Sequence, residues 1–252
     1  MHERSGLVPP GPLHPRIDLL SHCVEAPLRQ IVVEKERLDL LIPLSELLEK
    51  LALLPRRRQT RLLGIDGCGG AGKSTLARKL KELGSDVTVV QMDDFYHPSA
   101  KRALIDPQAI GGNWDWERVR DQVLLPLAQD IPARYQIYDW DVDQMAEWVS
   151  IPVGGIVIVE GCYSIRPELV ELYDLTIWVD SPRSLRLDRG IERDGEAKRH
   201  LWEDLWMPAE ERYIAAYKPD AYADLVFDGS GQGADVTRYE ALVKRAPAWW
   251  NR

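Results

Sequence analysis

From Arg61 onward the chain alternates between two kinds of segment. Short runs, RLLGID (61–66), VTVVQM (87–92), GIVIVE (155–160), LTIWVD (175–180) and ADLVF (223–227), carry apolar residues at neighbouring positions rather than at every second one. Longer segments near 74–83, 115–128, 184–193 and 198–217 mix apolar and polar residues in amphipathic fashion. The first pattern predicts strands buried on both faces, and the second predicts amphipathic helices. Such strands separated by helices predict an α/β fold, a doubly wound parallel sheet with flanking helices.

The first sixty residues break this rhythm. Residues 1–15 are rich in Pro, Gly and His and are expected to be poorly ordered. PLSELLEKLALLP, between Pro43 and Pro55, reads as a short amphipathic helix. The run Arg56-Arg57-Arg58 then reads as a solvated linker. The expected organisation is an extension over 1–60, partly helical and partly disordered, followed by one domain over 61–252.

Composition narrows the function classes. The 252 residues are 45% hydrophobic and 29% charged, as in a soluble globular protein. A formal net charge of −8 argues against a general binder of nucleic acid or anionic membrane. No apolar run approaches the roughly 18 residues of a membrane span. The opening residues lack the apolar core of a secretory leader. Cys23, Cys68 and Cys162 form no CxxC pair, so neither a disulfide framework nor a zinc site is expected. Reduced thiols and a cytoplasmic location fit this pattern.

GCGGAGKS, residues 67–74, is the segment that carries chemistry. It satisfies G-x-x-x-x-G-K-[ST] in full, after a predicted strand and before a predicted helix. The loop Gly67, Cys68, Gly69, Gly70, Ala71, Gly72 lets consecutive backbone N–H groups face one concavity, an anion nest at a helix N-terminus. Lys73 adds a point charge for the β- and γ-phosphates, the Ser74 hydroxyl is a ligand for Mg²⁺, and Thr75 can add a phosphate contact. Cys68 is either a reactive thiol or merely a small tolerated residue.

Acidic strand ends accompany the loop. Asp93 and Asp94 follow the second predicted strand and Glu160 ends the third, where parallel sheets place their ligands. One carboxylate after the second strand can accept a hydroxyl proton and lie near magnesium; the other reading is that both acids cap a turn. Glu160 can hold a magnesium-bound water, or else cap its strand. Further on, Arg186, Arg189 and Arg193 fall on one helix face. The like-charged Arg189 and Arg193 are opposed by ~0.2–0.5 kcal/mol unless an anion lies opposite. A transferring phosphoryl group is such an anion.

Together these motifs resemble the uridine kinase/phosphoribulokinase group of P-loop kinases, nearest its uridine kinase branch, over roughly residues 61–228. Asp93-Asp94-Phe95-Tyr96 is similar to that group's DSFY, which implies Asp93 as general base and magnesium neighbour and Tyr96 in the acceptor pocket. Asn113-Trp114-Asp115 resembles NFDHP, implying that Asp115 holds sugar hydroxyls. Glu160-Gly161 matches the group's EG. RLDRGIERD, 186–194, resembles its lid RLxRRIxRD, with Gly190 in place of an arginine. The resemblance implies a P-loop NTPase fold with an Arg-bearing lid, in which Arg186 contacts the nucleotide and Arg189 and Arg193 act on the moving phosphoryl group. KPDAYADLV, 218–226, is similar to the closing strand.

The acceptor segment departs from the pattern. Where uridine kinases carry PxYDxxxH, this chain has PARYQIYDWD, with Tyr135, Tyr138 and, at the histidine's place, Trp140. Trp114, Trp116, Trp140 and Trp148 crowd the same region, either as packing or as plates for a flat acceptor. The expected activity is Mg²⁺- and ATP-dependent phosphorylation of a hydroxyl on a small molecule, a nucleoside first. The alternatives are another hydroxylated metabolite (pantothenate-like, a sugar acid, an antibiotic) or a nucleotide-binding switch without a small-molecule acceptor. A homo-oligomer is compatible with all three.

Overall fold

The five expected strands form the spine of a seven-stranded sheet. In the computed structural model, which describes residues 36–55, 58–231, 240–247 and 250, they are β2 (Arg61–Asp66), β3 (Val87–Gln91), β6 (Ile156–Glu160), β7 (Leu175–Asp180) and β8 (Leu225–Asp228). They pair in parallel in the order β8-β7-β2-β6-β3. Two more strands, β9 (Glu240–Ala246) and β1 (Glu36–Pro43), extend the β8 edge with antiparallel pairing, giving β1-β9-β8-β7-β2-β6-β3. The sheet is thus mainly parallel. A separate antiparallel hairpin is built from β4 (Ala133–Asp139) and β5 (Gln144–Ile151). The poorly ordered start expected for residues 1–15 lies outside the described residues, as do Arg56 and Arg57.

Both faces of the sheet are buried, and neighbouring residues divide between two cores. Leu62, Val157, Val159, Trp178 and Val226 face one cluster, which Val119, Val123, Leu124 and Leu127 of the helical segment 116–128 complete. Leu63, Ile65, Ile158, Ile177, Val179, Leu225 and Phe227 face the other. This period of two, apolar on both sides, produced the continuous apolar runs of the sequence. Helix α2 (Lys73–Leu83) covers the second face with Leu76, Ala77 and Leu80.

Helix α1 (Leu44–Leu53) occupies the segment expected to be helical between Pro43 and Pro55. Leu44, Leu47 and Leu51 enter the second core, beside Ile42 of β1. Its last turn is held by the buried Arg61, whose guanidinium reaches the carbonyls of Ala52, Leu54 and Pro55. A cation there answers the unpaired carbonyls and the negative end of the helix dipole. Lys50 Nζ donates to the Trp250 carbonyl at 2.6 Å. Residues 36–53 are therefore packed into the same compact unit as the rest of the sheet, which spans 34–252. Leu47→Ala should lower the unfolding free energy by about 2–5 kcal/mol, as for other buried leucines. An unchanged denaturant midpoint would show that α1 is not part of the core.

Candidate active site

The carboxyl edge of the sheet holds the functional side chains. The turn after β2 is the glycine loop, with Gly67 at φ 148° and Gly72 at φ 108°, backbone that favours glycine. A side chain at Gly70 would run into the backbone of Arg186, and one at Gly69 would meet Trp202 and Glu210. Lys73, the first residue of α2, is buried and donates from Nζ to the Cys68 carbonyl at 2.9 Å. Burial works to discharge it, but Cys162, Glu160, Glu210 and Asp66 together outweigh burial and raise its pKa above the ordinary lysine value. Cys68 is buried and its thiol is pushed up by burial, so of the two readings the small, unreactive one fits.

A cleft of about 1130 Å³ runs along this edge. Gly69, Gly70, Gly72, Lys73, Ser74 and Thr75 line its middle, with Glu160, Asp93, Arg189 and Arg193 around them. Tyr96, Trp114, Trp140 and Tyr163 line the part next to Asp93. The Glu160 carboxyl is raised by burial and takes a hydrogen bond from the Ser74 hydroxyl. A hydroxyl, a carboxylate and Asp93 on one cleft are the hard oxygen ligands that suit Mg²⁺. Among the described residues no three His, Cys, Asp or Glu side chains converge to hold a metal alone.

The strand ends at Gln91, one residue before its expected end, and Asp93 and Asp94 lie in the 3₁₀ turn Met92–Phe95 that follows it, where their side chains diverge. Asp93 is exposed to the cleft and accepts from Trp114 Nε1 at 3.2 Å. Asp94 points back, accepts from the Tyr135 hydroxyl at 3.1 Å, and has its pKa raised by burial. Trp140 lies over Tyr96 with ring centroids 4.3 Å apart and 30° between planes. Three other expected acceptor contacts lie behind this wall. Tyr135 is buried against Phe95, and Tyr138 is buried with its hydroxyl donating to Asp143 at 2.5 Å. Asp115 caps the 116–128 helix and meets His97 Nδ1 at 3.3 Å and Lys101 Nζ at 3.4 Å.

Each lid arginine already has partners. The helix Arg183–Asp194 carries all three. Arg186 is buried and pairs with Glu210 at 2.9 Å. Arg189 donates to the carbonyls of Gly70, Gly229 and Ser230 at 3.1, 2.8 and 3.1 Å. Arg193 is mostly exposed and pairs with Asp194 at 2.8 Å. These contacts separate the like charges that the sequence sets close together. At Gly190 a side chain would run into the Trp202 indole, which lies against the helix there and donates to Asp194 at 3.0 Å.

Two further acids act here that the motifs did not indicate. Glu210 accepts from the Gly69 N–H at 2.6 Å, so one donor of the phosphate loop is held by a carboxylate that also binds the lid. Asp66, fully buried, accepts from the N–H groups of Gly67, Tyr163 and Ile165 and from the Tyr213 hydroxyl, at 2.6, 3.0, 3.1 and 2.8 Å. It holds Tyr163 at φ 69°, a left-handed conformation that costs a non-glycine residue ~1–2 kcal/mol. That places the Tyr163 ring 4.9 Å from Trp114. The run RLLGID is buried at every position, so its acid also had to be buried. That was the available signal for Asp66; none existed for Glu210.

The glycine loop with its buried lysine is that of a P-loop fold, and the Ser74–Glu160 pair and Asp93 open on the same cleft. The comparisons agree. The model of the phosphoribulokinase/uridine kinase family matches residues 62–228, and the chain belongs to that family of kinases. It is 28% identical over 189 residues to a uridine kinase of Clostridium novyi, covering 68% of this chain and 88% of that one. It is 26% identical over 178 residues to a phosphoribulokinase of Synechocystis, covering 66% of this chain and 52% of the other. A solved structure described as a possible uridine kinase from Bacillus stearothermophilus aligns with a TM-score of 0.59 at 22% identity, over 73% of this chain and 97% of that one.

Burial raises the Asp66 carboxyl to about 6, against an ordinary 3.8. Between those values the folded chain keeps a proton that the unfolded chain has released. The stability contributed by this group is therefore full below about pH 4 and is lost as pH rises through 6, by roughly 3 kcal/mol in all. The unfolding free energy of the wild type minus that of Asp66→Asn should fall by that amount between pH 4 and 7. A pH-independent difference would contradict the assignment.

Proposed function

We propose that this chain transfers the γ-phosphoryl group of ATP to a hydroxyl of a small molecule, with a nucleoside as the first acceptor. The observation that carries the reading is the single cleft joining the phosphate loop to Asp93 and an aromatic wall. Catalysis in such a site is mainly positioning and charge neutralisation. Lys73 holds the phosphates together with the loop N–H groups other than those of Gly67 and Gly69, which donate to Asp66 and Glu210. Ser74, Glu160 and Asp93 would hold Mg²⁺, which when bound neutralises charge on the phosphate oxygens. Asp93 takes the proton of the acceptor hydroxyl, and Trp114 Nε1–H fixes the carboxylate's orientation. Arg193, exposed on the lid, is the arginine best placed to swing onto the moving phosphoryl group. Arg189 and Arg186 support it by tying the lid to the loop. Tyr96 and Trp140 face the acceptor, and Tyr135, Tyr138 and Asp115 stiffen the wall behind them.

A second reading, another hydroxylated metabolite as acceptor, is favoured by one feature. Asp115, the expected holder of sugar hydroxyls, is already engaged by His97 and Lys101. Among the described residues no helix is long and apolar enough to cross a membrane; a cytoplasmic location is part of the proposal.

ADP release should depend on an acceptor in a coupled screen of nucleosides, pantothenate, glycerate and sugars. Asp93→Asn should lower kcat by about 10²–10⁴ while ATP still binds, and Asp94→Asn should lower it much less. The reverse ranking would move the base to Asp94. ADP formation at one rate with every acceptor and with none would indicate a switch or a hydrolase.

A further inference from the structure

We infer that Arg212 selects an acceptor that carries an anionic oxygen group, a carboxylate or a phosphate, beside the hydroxyl that is phosphorylated. The inference sharpens the acceptor of the phosphotransfer reading above and rests on it. Arg212 belongs to none of the motifs by which the chain resembles its family; it lies between the lid segment 186–194 and the closing segment 218–226. The helix Met207–Tyr217 carries it, and it lines the cleft together with Leu205 and Ala209. Ala209 and Arg212, three residues apart, share one side of that helix. Glu210, which meets the phosphate loop at the Gly69 N–H, is two residues from Arg212. Residues two apart on a helix do not face the same way, so Arg212 is turned from the contact that Glu210 makes with the loop.

A chain of rings joins this helix to the acceptor end. The Tyr213 ring, next to Arg212, lies 4.8 Å from Tyr163; Tyr163 lies 4.9 Å from Trp114, and Trp114 Nε1 donates to Asp93 at 3.2 Å. Gly111, also on the cleft, lies so close to the Tyr163 ring that a side chain there would touch it.

The other cations of the cleft are already answered or solvated. Lys73 donates to the Cys68 carbonyl, Arg189 to three carbonyls, and Arg193 pairs with Asp194. Arg102 donates to the His97 carbonyl and the Tyr138 hydroxyl, Lys79 is likewise engaged, and Lys198 is exposed. Arg212 differs. It is half-buried and has no hydrogen bond or ion pair among the described residues, and its Nε is shut off from solvent without an acceptor. A buried cationic donor without an acceptor is unfavourable, and a ligand that supplies one relieves the cost. The guanidinium is a planar fork that matches two oxygens of one carboxylate or phosphate. A neutral nucleoside offers no such partner, so the inference favours the second of the two acceptor readings.

The test uses acceptors in pairs that differ by the anionic group: glycerol and glycerate, ribose and ribose 5-phosphate, uridine and uridine 5′-monophosphate. ADP release from Mg²⁺-ATP is measured with each, for the full chain and for its Arg212→Gln and Arg212→Lys variants, with thermal melting as the check on folding. The wild type should use the charged member of at least one pair with kcat/KM about 10–10²-fold above its neutral member, the worth of a hydrogen bond to a charged group. The pair that responds tells carboxylate from phosphate. Arg212→Gln should remove the preference by raising KM for the charged acceptor by about the same factor, with little change in kcat or in KM for ATP. Arg212→Lys should recover part of it, since the charge stays and the fork is lost. If only one variant folds, its KM for the charged acceptor decides. Equal or better use of every neutral member, or a preference that the variants leave intact, would overturn the inference while the kinase reading stands. ADP formation that depends on none of the six acceptors would remove both.

Discussion

The buried carboxylate of Asp66 is the contact on which the site depends. It sits at the end of β2, the middle one of the five parallel strands, and its two oxygens accept four hydrogen bonds from three segments: the phosphate loop, the turn after β6, and Tyr213 of the helix Met207–Tyr217. Unpaired, those donors would each cost about 1–3 kcal/mol in a buried setting. Paired to one acid, they fix the start of the anion nest and the left-handed Tyr163 together. Tyr163 supports Trp114, and Trp114 holds Asp93. The glycine loop and Asp93 are thus referenced to one buried atom pair rather than to two independent loops.

The lid is referenced to the same loop through Glu210. This acid joins the Gly69 N–H to Arg186, while Arg189 ties the lid helix to Gly70 and to the turn after β8. Trp202 fills the space between lid and loop, and it can do so because Gly69 and Gly190 have no side chains. The glycine that stands where the resemblance has an arginine is therefore a packing requirement. Of the three lid arginines, Arg193 is left as the exposed one. Placement of the lid arginines relative to the glycine loop follows from this bracing.

What could be read from the chain and what could not divide along physical lines. The glycine loop, the five parallel strands and the helices between them rest on local rules, namely glycine spacing, continuous apolar runs and amphipathic periodicity. The helix between Pro43 and Pro55 was equally local. β1 and β9 were not foreseen, because edge pairing joins residues from opposite ends of the chain, Pro43 with Glu240. The β4–β5 hairpin was missed because its register shifts between Gln136 and Tyr138 blur the alternation. Glu210 carries no signal, since its partner Gly69 is 141 residues away. The acceptor residues were gathered by resemblance, and the structure sorts them. Tyr96 and Trp140 face the cleft, while Asp115, Tyr135 and Tyr138 are held behind it by partners that no motif records.

The proposed function stands on transfer of a phosphoryl group between two molecules bound in the cleft. ³¹P nuclear magnetic resonance of the chain with Mg²⁺-ATP and a panel of hydroxylated acceptors tests this most directly. The predicted result is a new phosphomonoester resonance with one acceptor class, growing in step with ADP and absent without that acceptor. ADP accompanied only by inorganic phosphate, whatever acceptor is present, would contradict it.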